Sequence, residues 1–225
     1  MESFPPLTAA NKEGLLAIGG DLSPERLVLA YRSGIFPWFN EGDPILWWSP
    51  NPRCVLFPET FRPSRSLGKL LRRGDYTVTF DRAFDRVIHA CTGPRRGQTG
   101  TWITRDMEKA YAALHRLGVA HSVECWLGER LVGGLYGLAL GTVFFGESMF
   151  SMRTDASKVA LATLMENLSR WGFTMVDCQV SSDHLFRLGA VEIPRNEFIQ
   201  RLESGLVDID LESNWQRESP DPSMP

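Results

Sequence analysis

The stretch Gly141-Thr-Val-Phe-Phe-Gly-Glu-Ser-Met-Phe-Ser151 constrains this chain more than any other. It is an apolar run of β-branched and aromatic residues, the composition of a buried strand, and it carries one carboxylate, Glu147, in its middle. A second short run, Phe173 to Val176, leads into Asp177 and Gln179. Side chains at i and i+2 of a strand share a face, so Asp177 and Gln179 are expected to point one way and Cys178 the other. Carboxylates are seldom buried unless they are paired or used. Two of them on neighbouring core strands predict a small acidic pocket in an apolar wall. On the residues alone, that pocket is either a functional site or a satisfied structural network.

The rest of the composition limits the class of protein. A chain of 225 residues holds one large domain or two small ones, with a sizeable core. No apolar run approaches the ~20 residues of a membrane span. The start, Met1-Glu-Ser-Phe-Pro-Pro, lacks the basic region and apolar stretch of a signal peptide, so a cytoplasmic location is expected. The cysteines, at 54, 91, 125 and 178, form no C-x-x-C pair, and the histidines, at 89, 115, 121 and 184, have no metal-ligand spacing. No metal is expected. The net charge of −3 is unevenly spread: residues 62–96 hold nine Lys/Arg against three Asp, while residues 97–225 hold eleven Lys/Arg against seventeen Asp/Glu. Such segregation suits an anionic partner on one surface and a cationic one on another, although a solvated basic face reads the same way.

Taken in order, residues 1–61 are rich in aromatics, with Phe36, Trp38, Phe39, Trp47 and Trp48 punctuated by prolines. Ser23-Pro24-Glu25 starts a helix that Gly34 ends. Arg53 to Phe57 reads as a strand. Ser64 to Arg73 reads as a helix with Leu67, Leu70 and Leu71 on one side and Arg65, Lys69, Arg72 and Arg73 elsewhere. A strand at 76–80 and a helix after Asp81 complete a basic segment, 62–96. With residues 1–61, it is expected to form a smaller N-terminal α/β domain. Residues 97–211 read as a helix capped by Thr104, a three-strand meander, a helix opened by Asp155, a strand at 173–180, a short helix, an extended piece and a last helix. Residues 212–225 are polar and expected to be a disordered tail. The whole is an α+β (mixed α/β) chain whose C-terminal domain follows the order of the N-acetyltransferase fold.

Enzymes of that fold hold coenzyme A at a glycine-rich helix N-terminus. Here that junction is Phe150-Ser-Met-Arg-Thr-Asp155, without glycine and ending in an acid. Coenzyme A is therefore disfavoured as donor.

The segments Gly14 to Ser23, Gly34 to Phe39, Pro44 to Pro50, Gly100 to Thr104, Gly146 to Ser151 and Asp177-Cys-Gln179 resemble the leucyl/phenylalanyl-tRNA–protein transferases. The likeness runs from about residue 4 to about residue 206. It implies transfer of Leu or Phe from aminoacyl-tRNA to proteins beginning with Arg or Lys, marking them for degradation; an apolar donor pocket is expected to accept Met as well. It also implies a cytoplasmic monomer without metal or cofactor. By resemblance, Trp38 and Trp102 belong at the terminal adenosine of the tRNA, where stacking is worth ~1–3 kcal/mol per base. Leu135, Phe144 and Met149 are candidates for the pocket that takes the donor side chain. Strict alternation puts Phe144 opposite Glu147, so both line one site only if the strand bulges, with Gly146 the candidate position.

The chemistry fits the residues. Aminolysis of an activated ester needs no strong base, because an α-amine has a pKa of about 7.7–8.0. Asp177 polarising the amide of Gln179 is expected to accept or relay the amine proton, and Glu147 to hold the acceptor's cationic end. Ser182 stands where the resemblance leads one to expect a side-chain amide or Thr. Cys178 is disfavoured as a nucleophile because it is expected to face away. The alternatives are a coenzyme A-dependent N-acyltransferase and a non-catalytic RNA-binding module. The latter explains the basic segment but leaves the acids without a purpose. In the main reading Arg65, Lys69, Arg72 and Arg73, a basic run with no acid within it, are expected to contact tRNA phosphates.

Overall fold

A computed structural model describes residues 3–93, 103–207 and Trp215. The chain starts with β1 (Leu15–Ile18), α1 (Pro24–Arg32), β2 (Phe36–Pro37) and β3 (Leu46–Trp48). These three strands pair antiparallel in the order β1-β3-β2. Ser23 caps α1, its hydroxyl accepting from Arg26 N–H, and Pro24 stands at the first helical position.

The chain then enters a seven-stranded sheet. Its strands are β4 (Arg53–Leu56), β5 (Thr77–Phe80), β6 (Ala120–Leu127), β7 (Arg130–Leu140), β8 (Val143–Ser151), β9 (Met175–Gln179) and β10 (Val191–Ile193). Their order is β10-β4-β9-β8-β7-β6-β5, antiparallel except for β8 beside β9. The helices between are α2 (Arg65–Arg73), α3 (Phe84–Cys91), α4 (Arg105–Arg116), α5 (Ala156–Arg170), α6 (Asp183–Arg187) and α7 (Arg195–Gly205). Parallel neighbours need a crossover, and α5 supplies it between β8 and β9.

Each face of the large sheet closes its own core. On one face, α1, α3, α4 and α7 pack with Tyr136, Phe145 and the aromatics of the small sheet. On the other, α2 and α5 pack with Leu135, Phe144 and Val176. Among the described residues, no helix is long and apolar enough to cross a membrane.

Two expectations need correction. The basic segment 62–96 does not belong to a separate N-terminal domain: β5 pairs with β6, and β4, from the segment 1–61, pairs with β9 and β10. Sheet partners are set by packing between distant segments, which a composition boundary does not reveal. The tail expectation for 212–225 also fails at Trp215, which is buried against Phe80, Trp171 and Phe144 and stacked on His121. The rest of that tail lies outside the described residues.

Candidate active site

Two bulges shape the site. On β7, Tyr136 faces Ser148 and Gly137 faces Gly146, so Glu147 is the extra residue on β8. On β4, Cys54 faces Gln179 and Val55 faces Asp177, so Cys178 is the extra residue on β9. The parallel pairing of β8 with β9 covers only Val143 to Phe145 against Met175 to Asp177. Beyond it a cavity of about 200 Å³ opens, lined by Leu135, Phe144, Met149, Leu161 and Leu185 among apolar residues and by Glu147 and Gln179 among polar ones. The expected bulge is therefore present at Glu147, one residue past Gly146. It brings Glu147 to the cavity that Phe144 also lines.

Glu147 is nearly buried and well supplied with donors. Its Oε1 accepts from Tyr31 Oη at 2.7 Å and from Gln179 Nε2 at 2.8 Å, and its Oε2 accepts from Tyr111 Oη at 2.9 Å. Tyr31, on α1, and Tyr111, on α4, also touch each other through their hydroxyls. Burial pushes the Glu147 carboxyl up to about 7, against the pull of these three hydrogen bonds. The two tyrosine hydroxyls are pushed well above their ordinary value, first by burial and then by the negative charge of Glu147, so both remain proton donors.

Asp177 does not act on the side-chain amide of Gln179, contrary to expectation. It is fully buried and does not line the cavity. Its two oxygens pair with Arg53 Nε at 2.8 Å and Nη2 at 2.7 Å, and Oδ1 also accepts the backbone N–H of Gln179 at 2.9 Å. Cys178 lines the cavity instead of facing away, because the bulge interrupts the alternation of β9. Contact with the Cys54 thiol and burial raise the Cys178 thiol well above its ordinary value, leaving it a poor nucleophile.

The remaining candidates are dispersed. Trp38 is 45% exposed and leans on Trp48, whose Nε1 donates to the Trp38 carbonyl. Trp102 lies outside the described residues. Arg65, Lys69, Arg72 and Arg73 are all exposed on α2, and Arg73 is paired with Asp75 at 2.7 Å. Ser182 caps α6, its hydroxyl accepting from Leu185 N–H. At the junction before α5, the Ser157 N–H is taken by Ser151 Oγ and the Ala156 N–H by the Arg153 carbonyl, while Asp155 pairs with Lys158. Those donors already have partners within the chain.

Sequence reasoning missed Arg53, Tyr31 and Tyr111 as site residues. Each carried a signal: Arg53 opens an otherwise apolar strand, and each tyrosine puts a hydroxyl on a buried helix face, where it needs a partner.

An apolar cavity, a carboxyl group that exchanges its proton near neutral pH and an amide donor make a site fit for acyl transfer. A family model described as "Leucyl/phenylalanyl-tRNA protein transferase" matches residues 55–203, and its N-terminal domain model matches residues 20–51. Curated relatives bear that same name. One from Nitrosospira multiformis is 58% identical, covering 94% of this chain and 92% of its own. Another, from Syntrophotalea carbinolica, is 62% identical, covering 91% and 89%. Among solved structures, L-PGS from Bacillus licheniformis is 14% identical with a TM-score of 0.40, covering 71% of this chain and 51% of its own. A GCN5-related N-acetyltransferase from Kribbella flavida is 10% identical with a TM-score of 0.40, covering 73% and 59%. The chain is an aminoacyltransferase, one that moves an amino acid from tRNA to protein. It belongs to the leucyl/phenylalanyl-tRNA–protein transferase family.

Proposed function

We propose that this enzyme transfers Leu or Phe, and also accepts Met, from aminoacyl-tRNA to the α-amine of proteins that begin with Arg or Lys, and that the product is thereby marked for degradation. We infer that it works as a cytoplasmic monomer without a cofactor. The observation that carries this reading is Glu147, whose carboxyl group, held near pH 7, looks into an apolar cavity of about 200 Å³ beside the Gln179 amide.

The donor side chain enters the cavity against Leu135, Phe144 and Met149. Full burial of a Leu or Phe contributes about 1.5–3 kcal/mol. The acceptor amine attacks the ester carbonyl, an N–C bond forms, and the bond to the ribose oxygen breaks. Glu147 takes the amine proton and returns it to the departing ribose oxygen, so the proton count closes. Its proton affinity suits both transfers at neutral pH. Gln179 keeps the carboxyl group oriented, and Asp177 acts through Gln179. The charge of Glu147 also favours an acceptor with a cationic first residue. Trp38 and Trp102 hold the terminal adenosine, and Arg65, Lys69, Arg72 and Arg73 meet phosphates.

The test is transfer of labelled Leu from Leu-tRNA to a peptide beginning with Arg, beside one beginning with Asp and beside acetyl-coenzyme A as donor. Leu transfer to the Arg peptide alone is expected. Acyl transfer from coenzyme A, or equal use of the Asp peptide, would overturn the reading.

A further inference from the structure

The geometry points to Arg53 as a positioning residue for aminoacyl transfer: it fixes Asp177, and Asp177 fixes the backbone that aims the Gln179 amide at Glu147. The assay rests on the reading above, but the inference goes beyond it.

Each link is short and directional. Arg53 grips Asp177 with two parallel hydrogen bonds of 2.8 and 2.7 Å, and both side chains are fully buried. Asp177 Oδ1 then takes the N–H of Gln179, two residues on, at 2.9 Å. This local turn holds Gln179 at φ +64°, a left-handed conformation that a non-glycine residue adopts only at a cost. With the backbone turned, Nε2 of Gln179 reaches Glu147 Oε1 at 2.8 Å. Three links thus connect a guanidinium outside the cavity to the carboxyl group inside it.

The arrangement is poorly explained by stability alone. Arg53 Nη1 has no hydrogen-bond partner among the described residues. A buried pair with an unsatisfied donor is a weak way to hold a fold, and apolar residues of similar volume commonly do as well or better. Instead, the guanidinium is set between the Phe36 ring, at 4.8 Å, and the Phe198 ring, at 4.5 Å. Those rings come from β2 and α7, so the small sheet and the last helix jointly fix its angle. A planar fork clamped between two rings delivers orientation, and orientation is what a strained Gln179 requires. Lysine lacks the fork and cannot reproduce it.

The experiment uses the full chain with three variants: Arg53→Lys, Arg53→Met, and the double variant Arg53→Met/Asp177→Leu. Single-turnover transfer at saturating Leu-tRNA is followed from pH 5.5 to 9, together with Tm and tRNA affinity. Arg53→Lys is expected to keep tRNA affinity within about threefold and to lose about 10–100-fold in rate, the range seen when partners behind a ligating or reacting group are removed. The acidic limb of its pH profile should also move to higher pH, because Glu147 loses the Gln179 hydrogen bond that opposes its protonation. The double variant, with the uncompensated charge gone, is expected to recover Tm relative to Arg53→Met but not rate. If the double variant regains wild-type rate along with stability, or if Arg53→Lys keeps both rate and pH profile, Arg53 is merely structural. A wild-type protein that fails to transfer Leu at all would instead overturn the proposed function.

Discussion

Glu147 is the residue on which the proposed chemistry turns, and its proton can be followed directly. Its folded value of about 7 lies above the ordinary 4.5. The stability that this proton contributes is therefore fully present below about pH 4.5 and lost as pH rises through about 7. Glu147→Gln should remove that slope from a series of denaturant titrations, and should lower the transfer rate by about 10²–10⁴-fold. An unchanged rate in the folded variant would exclude Glu147 as the proton acceptor. Tyr111→Phe removes one of the hydrogen bonds that hold the value down, so the acidic limb of the rate profile should shift upward while Leu-over-Ala selection stays. Glu147 and Gln179 stood out in the sequence because polar groups interrupting apolar strands demand an account. Arg53, Tyr31 and Tyr111 carried the same signal that a partner was needed, but those partners lie 124, 116 and 36 residues away, and pattern along the chain does not say which residues they are.

At the scale of elements, caps and periodicity were legible. Ser64 caps α2, Thr104 caps α4, and both helices fall within a residue or two of where their apolar spacing put them. The β8 bulge was legible only as a requirement, since nothing local to Gly146 or Glu147 states which residue is extra. Its consequence is a mixed wall, with Leu135 and Met149 opposite each other across β7 and β8 and Phe144 beside them in the cavity. Leu135→Phe should fill that space and penalise Phe-tRNA more than Leu-tRNA. Competition between the two donors on one acceptor peptide measures this, and an unchanged ratio would remove Leu135 from the pocket. On α2, replacing Arg72 and Arg73 with Ala should weaken tRNA binding and reduce the salt slope by about 0.7–0.9 for each phosphate that the helix no longer neutralises. Arg72 should account for more of the change than Arg73, which Asp75 already occupies.

For the molecule as a whole, the division into domains was the least legible feature. Charge and aromatic content change near residues 61 and 96, yet one sheet runs across both points. Composition reports what each segment meets in solvent, whereas sheet order depends on which strands meet. Trp215 makes the same point at the other end: a lone aromatic in a polar tail closes the core behind Phe144. Trp215→Ala should cost about 3–5 kcal/mol, lowering Tm by roughly 6–20 °C. Calorimetry of that variant checks it, and an unaltered Tm would mean the ring adds nothing to the core.

The place of β4 between β9 and β10 also has a consequence for synthesis. Arg53 leaves the ribosome 124 residues before Asp177, a delay on the order of 6–24 s at ordinary elongation rates. Through that interval β4 has neither neighbour. A nascent chain released early therefore carries an open strand and an unmatched guanidinium, and it is a substrate for chaperones and proteases rather than a partly working enzyme. Assembly of the site waits on β9, because Asp177 and Gln179 both lie on it and are made only after most of the chain.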